Sequence, residues 1–561
     1  MYLLFSSKHV IIITCFEEVI PMARVYVKNK SNGTTYVYES ENYWDREKKQ
    51  SRSKRICIGK LDDAGNFVPS ARFSKPIPES VTVTPKRGPV PAVHTRRLYY
   101  GATYLLDQIG IKLGIAADLK VCFPNSYRQM LSIVYYLIIE DNASMLRFEK
   151  WGETHWHPYG ENIPSQRSSE LFQSITDESR HHFFALQGKR RLDKEYLAYD
   201  ISTISSYSQC LKQVQYGKNK ENDRLPQINL ALVFGEQSNL PFYYRKLSGN
   251  IPDVVTLKTL LADLKALGYN SLSMVMDRGF YSEANVNALY KDHLKFLLAA
   301  STSLKLIRRE LDQVKDKLDS YANYNENHHV YAMTVTSEWD YTQDRPYKGD
   351  TLEEKRRIYI HLYFNAEKAA ADRTVLEDKI TAFRHELLEG RRIPEHETQY
   401  KKYFIEKETP VRGRSVTVDD EAVRKARSYY GYFALVSNVK MDAITALETY
   451  RNRDLVEKAF GNLKEKLNLR RALVSSETSL SGKLFVEFVA LIYLSYIKKQ
   501  MQDNNLFKDY TLQQVLDKLD VIECFENPGD KLRVGEVLSK QSQLYLYLGV
   551  TPPTPYVETT L

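Results

Sequence analysis

The chain has 561 residues, 43% hydrophobic and 27% charged, with a formal net charge of +9. That length is too great for one simple core and sets an expectation of two to four domains of ordinary globular composition. Its five cysteines (Cys15, Cys57, Cys122, Cys210, Cys524) contain no CxxC pair, which excludes a disulfide framework or a cysteine zinc site and fits a reducing compartment.

The apolar stretch "VIIITCF" is too short to span a bilayer and lacks a small-residue cleavage site. The basic balance leans towards a polyanionic partner. The forty tyrosines supply rings suited equally to cores and to base stacking.

In chain order, residues 1–21 look unlike the segment that begins "MARVYVKNK", so Met22 is read as the start and the first 21 residues as an upstream extension. Residues 22–95 form a basic, β-rich amino-terminal region and linker. "RVYVKNK" and "TTYVYES" alternate like short strands, and "SKPIPESVTVTPKRGPVPAV" reads as the linker. The run "REKKQSRSKRICIGK" suits either a solvated edge or contact with DNA phosphates.

Residues 96–190 carry long apolar periodicities and are expected to be helical, a region for DNA binding or dimerisation. His155 and His157 in "THWHP" have no further obvious ligands and are read as structural. From 191 to 300 strands and helices alternate: "EYLAYDIST", "QINLALVFG" and "LPFYYRKLSG" as strands, "DVVTLKTLLADLKALGY" as a helix. "SLSMVMD" and "LKFLLAA" then read as short strands.

Residues 301–425 mix strands, a charged helix and polar connections, and are expected to be an insertion. Residues 426–500 return to the core with "GYFALVSN", and 501–561 form a carboxy-terminal region.

The chemistry concentrates in "YRNRDLVEKAFGNLKEKL", residues 450 to 467. On a continuous helix, Tyr450, Arg453, Glu457 and Lys464 fall within an arc of about 60° beside a stripe of Val456, Leu463 and Leu467. Taken alone, Arg453 and Glu457 are an i,i+4 ion pair of a few tenths of a kcal/mol. A lone glutamate holds no catalytic metal pair, so other carboxylates are required. Asp200 lies in the first core strand and Asp277 closes "SLSMVMD" before "RGFYS", positions where α/β folds place active sites. Each alone reads equally well as a cap or turn residue. Together the three make a hard oxygen donor set suited to Mg²⁺. No Walker P-loop, HExxH or GxSxG competes with it.

Asp200, Asp277 and Glu457, with the spacing of Tyr450, Arg453, Glu457 and Lys464, resemble the DDE triad and YREK signature of bacterial insertion-sequence transposases. The superfamily concerned is the one named after insertion sequence number four. "LPFYYRKLSGNIPDVVTL", "MDRGFYSEANVNAL" and "AFGNLKEKL" extend the resemblance over about residues 194 to 500, and "YVYESENYWD…KRICIGKLD" resembles the start of a long-chain group within it.

The resemblance implies an RNase H-like mixed α/β core with a β-rich insertion between the second Asp and the Glu. It also implies a DNA transposase that binds terminal inverted repeats and catalyses cut-and-paste cleavage and strand transfer. Two Mg²⁺ ions per site, replaceable by Mn²⁺, would sit on Asp200, Asp277 and Glu457. Tyr450, Arg453 and Lys464 would hold DNA, with Arg278 adding a phosphate contact and Trp339 stacking on a displaced base. The implied partners are transposon-end and target DNA and a second copy of the chain in a synaptic dimer. No membrane is implied, and the expected location is the bacterial cytoplasm, on the nucleoid when DNA is bound. The alternatives are an RNase H-like nuclease without strand transfer and an inactive DNA-binding relative.

Overall fold

The computed structural model describes residues 23–557 apart from 46–49, 63–64, 71–94, 142, 192–194, 209, 218–224, 270–271, 346–347, 410–412, 468, 470–473, 475 and 528–531. The proposed upstream extension, the linker and part of the basic run therefore lie outside the described residues. The chain divides into two compact units, residues 1–89 and 90–561.

The first unit is an antiparallel sheet of β1 (Ala23–Lys28), β2 (Thr35–Asp45), β3 (Gln50–Leu61) and β4 (Phe67–Pro69), paired in that order. Its strands cover the two alternating segments expected as β-structure. Val37 and Ile58 are buried, while Tyr26, the cross-strand partner of Val37, and Ile56 are exposed. Gly59 is required on β3, because a Cβ there would collide with the Val68 carbonyl of β4.

The second unit opens with β5 (Arg96–Tyr99) and the helices α1 (Gly101–Lys112), α2 (Ile115–Cys122), α3 (Tyr127–Ile139), α4 (Phe148–Thr154), α5 (Ser165–Ser174) and α6 (Asp177–Arg191). His155 and His157 pack here as structural residues. His155 stacks on Trp151 and bonds Asp520 at 3.0 Å, while His157 bonds the Ser132 hydroxyl at 3.0 Å.

Next come β6 (Tyr196–Ser205), β7 (Gln227–Gly235), β8 (Pro241–Ser248), α7 (Asp253–Ala266), β9 (Ser273–Met276), α8 (Glu283–Lys291) and β10 (Lys295–Ala300). They are followed by α9 (Lys305–Leu318), β11 (Tyr324–Asn325), β12 (Val330–Arg345) and β13 (Asp350–Phe364). A nine-stranded sheet runs β11-β12-β13-β16-β10-β9-β6-β7-β8, where β16 is Tyr432–Ser437. Within it β6, β7 and β8 form an antiparallel meander, and β6, β9 and β10 run parallel. This is the mixed RNase H-like sheet expected from the sequence. β7 is buried along its whole length, as a central strand covered on both faces must be.

The 301–425 segment does not stand apart as a whole. Its long hairpin, β12 and β13, joins the main sheet because β13 pairs with β16 from Tyr359 to Phe364. Ile358, Ile360 and Leu362 on that strand are buried and complete the central core. Only α10 (Ala366–Leu388), α11 (Glu397–Tyr403), β14 (Phe404–Thr409), β15 (Gly413–Val418) and α12 (Asp420–Arg427) form a satellite, around Phe383, Leu387 and Tyr400.

After β16 come α13 (Ala443–Arg451), α14 (Asp454–Gly461) and α15 (Glu477–Asp503). α15 is long and apolar enough to cross a membrane, yet 89% of its most apolar window is buried inside the fold. It packs on α3, α5 and β8, and so is a core helix. The chain closes with α16 (Leu512–Asp520), β17 (Glu523–Glu526), β18 (Leu532–Val534), α17 (Ser539–Tyr547) and β19 (Tyr556–Val557). β17 pairs with β5, so the carboxy-terminal segment returns to the start of this unit.

Candidate active site

Two strands and the chain after β16 bring the predicted residues together. β6 and β9 are parallel neighbours, with Tyr199 opposite Met276. Asp200 and Asp277 each come one residue later, so the register sets the two carboxylates side by side. Asp200 sits within β6 and Asp277 just beyond β9, where Phe280 N–H donates to the Asp277 carbonyl at 3.0 Å and closes a single 3₁₀ turn. Gly279 in that turn is not demanded by space, since a Cβ there would meet only Asp253 at 3.9 Å.

The helix expected over 450–467 is broken twice. α13 ends at Arg451, and the chain turns at Asn452 and Arg453 before α14 starts at Asp454. The Asn452 side chain donates to Glu236, after β7, which ties the turn to the sheet. The second break is a π-turn over Asn462–Lys466, with Leu467 N–H reaching the Asn462 carbonyl at 3.0 Å. The continuous 100° wheel therefore does not describe this segment, although Val456, Leu463 and Leu467 are buried as the stripe required.

Two of the four signature side chains nevertheless reach the aspartates, and the other two join them through Arg453 and Ser202. The Tyr450 hydroxyl donates to Asp277 Oδ1 at 2.8 Å. The Arg453 guanidinium reaches Asp200 Oδ2 at 3.4 Å and Glu457 Oε1 at 3.2 Å, and lies 5.3 Å from the centre of the Tyr450 ring. Lys464 Nζ donates to the Ser202 hydroxyl at 2.7 Å. Ser202 stands two residues from Asp200 and so shares its face of β6. Lys464 thus meets the sheet beside the aspartates even though it lies two turns from Glu457.

The Arg453 and Asp200 side chains are only 8% and 13% exposed, whereas Glu457 is 59% exposed. Burial by itself would raise the Asp277 pKa. The Arg278 backbone N–H, the Tyr450 hydroxyl and the charges of Arg453 and Arg278 outweigh it and hold the carboxyl below its ordinary value. Burial works against the Arg453 cation too, yet Tyr450, Asp277, Asp200 and Glu457 together raise its pKa. Tyr450 is pushed up, first by burial and also by Asp277, so it remains a hydroxyl donor. The result keeps Asp277 a carboxylate, with Arg453 as a nearby counter-charge.

Three carboxylates are the hard oxygen donors that a divalent cation prefers, so the donor set fits such an ion. Among the described residues, no three His, Cys, Asp or Glu side chains are gathered closely enough to hold one as they stand. Arg453 does the compensating instead, and its buried Nε has no hydrogen-bond partner. Glu457 is the exposed member and is tied to the aspartates through Arg453.

Arg278 is exposed directly after Asp277. Trp339 is not gathered into the site: it is 6% exposed on β12, and its indole N–H donates to Asn287 at 2.7 Å. Stacking on a base would require it to leave that pocket. The sequence reading missed Ser202, Glu236 and Asn452. Only Ser202 left a signal, being two positions from a strand aspartate.

Residues 191–493 match the family described as a transposase DDE domain, a span that holds all six of the converging residues. No curated protein matches the chain. Among solved structures the fold is similar to a piggyBac transposase synaptic complex with hairpin DNA. The identity is 11% and the TM-score 0.33, over 74% of this chain and 70% of that one.

Proposed function

The chain belongs to the transposase DDE domain family, and on that premise we propose that it is the transposase of an insertion sequence. It binds the element's terminal inverted repeats, cuts DNA at their ends and joins the freed ends to target DNA by a cut-and-paste route. The observation that carries this reading is the convergence of Asp200, Asp277 and Glu457 around Arg453, with Tyr450 on Asp277 and Lys464 beside Asp200.

Asp200, Asp277 and Glu457 would hold the divalent ions, two Mg²⁺ with Mn²⁺ as substitute, which when bound supply Lewis-acid stabilisation of the attacking and leaving oxygens. The chain's own groups do the positioning. Tyr450 and the Arg278 backbone keep Asp277 ionised and fixed. Arg453 holds Asp200 and Glu457 to one centre. Lys464 and Arg278 meet phosphate oxygens on either side of the scissile bond. In cleavage, water forms a bond to phosphorus and the strand's 3′-oxygen leaves as a hydroxyl. In joining, that hydroxyl forms the new bond and a target 3′-oxygen leaves.

Two ends are held by two copies of the chain in a synaptic dimer, in a bacterial cytoplasm and on its nucleoid. The test is incubation of the chain with Mg²⁺, a labelled element end and a target plasmid. Joined product supports the reading. Cut ends without joined product would identify a nuclease, and bound but uncut ends an inactive DNA-binding protein.

A further inference from the structure

The flank of α14 away from the aspartates borders a cleft of about 320 Å³, closed on its other side by α15. Leu455, Lys458 and Asn462 stand at i, i+3 and i+7, so they line one face. On the helical wheel that face lies about 150° round α14 from the one carrying Arg453 and Glu457. Across the cleft, α15 contributes Lys498 and Lys499, and Phe507 supplies an exposed ring at its rim. The wall has three lysines and no Asp or Glu.

These cations are poorly compensated. Lys458 is exposed, and among the described residues no carboxylate pairs with it. Lys498 donates to the neutral Asn462 side chain. Burial lowers its pKa, as do Lys458 and Lys466, against the attraction of Glu465. Lys499 has a carboxylate, Asp503 at 2.8 Å, on the exposed rim of α15. Such a surface pair is weak enough for a phosphate to displace. Three lysines around a small cleft, with amide side chains between them, are the chemistry of an anion site.

We propose that this cleft binds a backbone phosphate of the DNA strand whose scissile phosphate lies at Asp200 and Asp277, an inference that rests on the transposase reading above. Opposite faces of a helix are separated by about its diameter, on the order of 10 Å. With an axial rise of about 3.4 Å per base step, the cleft takes a phosphate a few nucleotides from the scissile one. Lys458 and Lys499 grip that phosphate, and Lys498 transmits the contact to Asn462 and the π-turn that carries Lys464.

The experiment measures binding of a duplex of unrelated sequence to the full chain across a salt series, for the wild type, Lys458→Ala/Lys499→Ala and Lys458→Arg. One lost phosphate contact reduces the log–log salt slope by about 0.9. The double variant is expected to lose about that much and to bind several-fold more weakly, with an unchanged melting temperature, while Lys458→Arg retains the wild-type slope. A double variant with the wild-type slope overturns the cleft proposal and leaves the transposase reading intact. A wild-type chain with no salt-dependent duplex binding overturns the transposase reading and the cleft with it. Inorganic phosphate alone is the remaining arm: if it stabilises the wild type but not the double variant, while duplex slopes coincide, the cleft takes a free anion and the DNA assignment falls.

Discussion

Arg453→Gln removes the cation shared by Asp200 and Glu457. Its guanidinium faces Asp200 at 3.4 Å with both side chains largely buried, and faces Glu457 at 3.2 Å on the exposed side. Leaving a buried charge without its partner costs about 3–5 kcal/mol. The Glu457 contact adds no more than about 1 kcal/mol, because solvent screens it. Asp200 borders an open site, so the lower figure applies, and the expected loss is about 3 kcal/mol. It is read as a lower urea midpoint with unchanged slope.

The pH dependence comes from Asp277. Its folded pKa is depressed, in part by Arg453, so it contributes stability above its unfolded pKa and loses it as pH falls through the folded one. Without Arg453 the folded pKa rises and that contribution shrinks. The deficit of the variant is therefore largest near neutral pH and narrows below the unfolded carboxylate pKa. Mg²⁺ binds only the folded site and should restore part of the loss. A variant as stable as the wild type at neutral pH, or a deficit that does not change with pH, would refute the role given to Arg453.

Three further outcomes are expected. Tyr450→Phe deletes the 2.8 Å bond to Asp277, worth about 1.5–3 kcal/mol for a charged acceptor. Cleavage should fall at least tenfold and its acid limb move to higher pH in a pH–rate profile. His361 is buried between the Thr334 and Ser437 hydroxyls, and burial lowers its pKa to about 4. Its stabilising contribution is complete above the unfolded pKa of about 6.5 and is lost as pH falls towards 4, about 3 kcal/mol in all. His361→Asn should flatten the stability-versus-pH curve in that window. Trp339→Phe forfeits the bond to Asn287 at about 1 kcal/mol and should leave duplex affinity unchanged; weaker binding would restore Trp339 to the DNA contacts.

Strands and helices with strong periodicity were legible in the sequence, from β6 through β10 and again at β16. Asp200 and Asp277 were also legible, because a carboxylate in or just after a buried strand stands out against apolar neighbours. The broken helix was not. Its turn at Asn452 depends on Glu236, more than 200 positions earlier, and no local pattern encodes such a bond. The π-turn is nearly silent, since four of its five residues are good helix formers and only Asn462 is a weak one. The β12–β13 hairpin looked like an insertion because its connections are polar, while its place in the sheet is set by pairing with a strand some 70 residues later.

The central claim is that Asp200, Asp277 and Glu457 form one metal-dependent DNA-cutting site. The direct measurement is Mg²⁺-dependent cleavage of a plasmid carrying the element's own ends, beside duplex binding, for the wild type and for Asp277→Asn. The account predicts that Asp277→Asn abolishes cleavage and binds DNA with near wild-type affinity. Undiminished cleavage by Asp277→Asn, or cleavage by the wild type that persists in excess chelator, would contradict it.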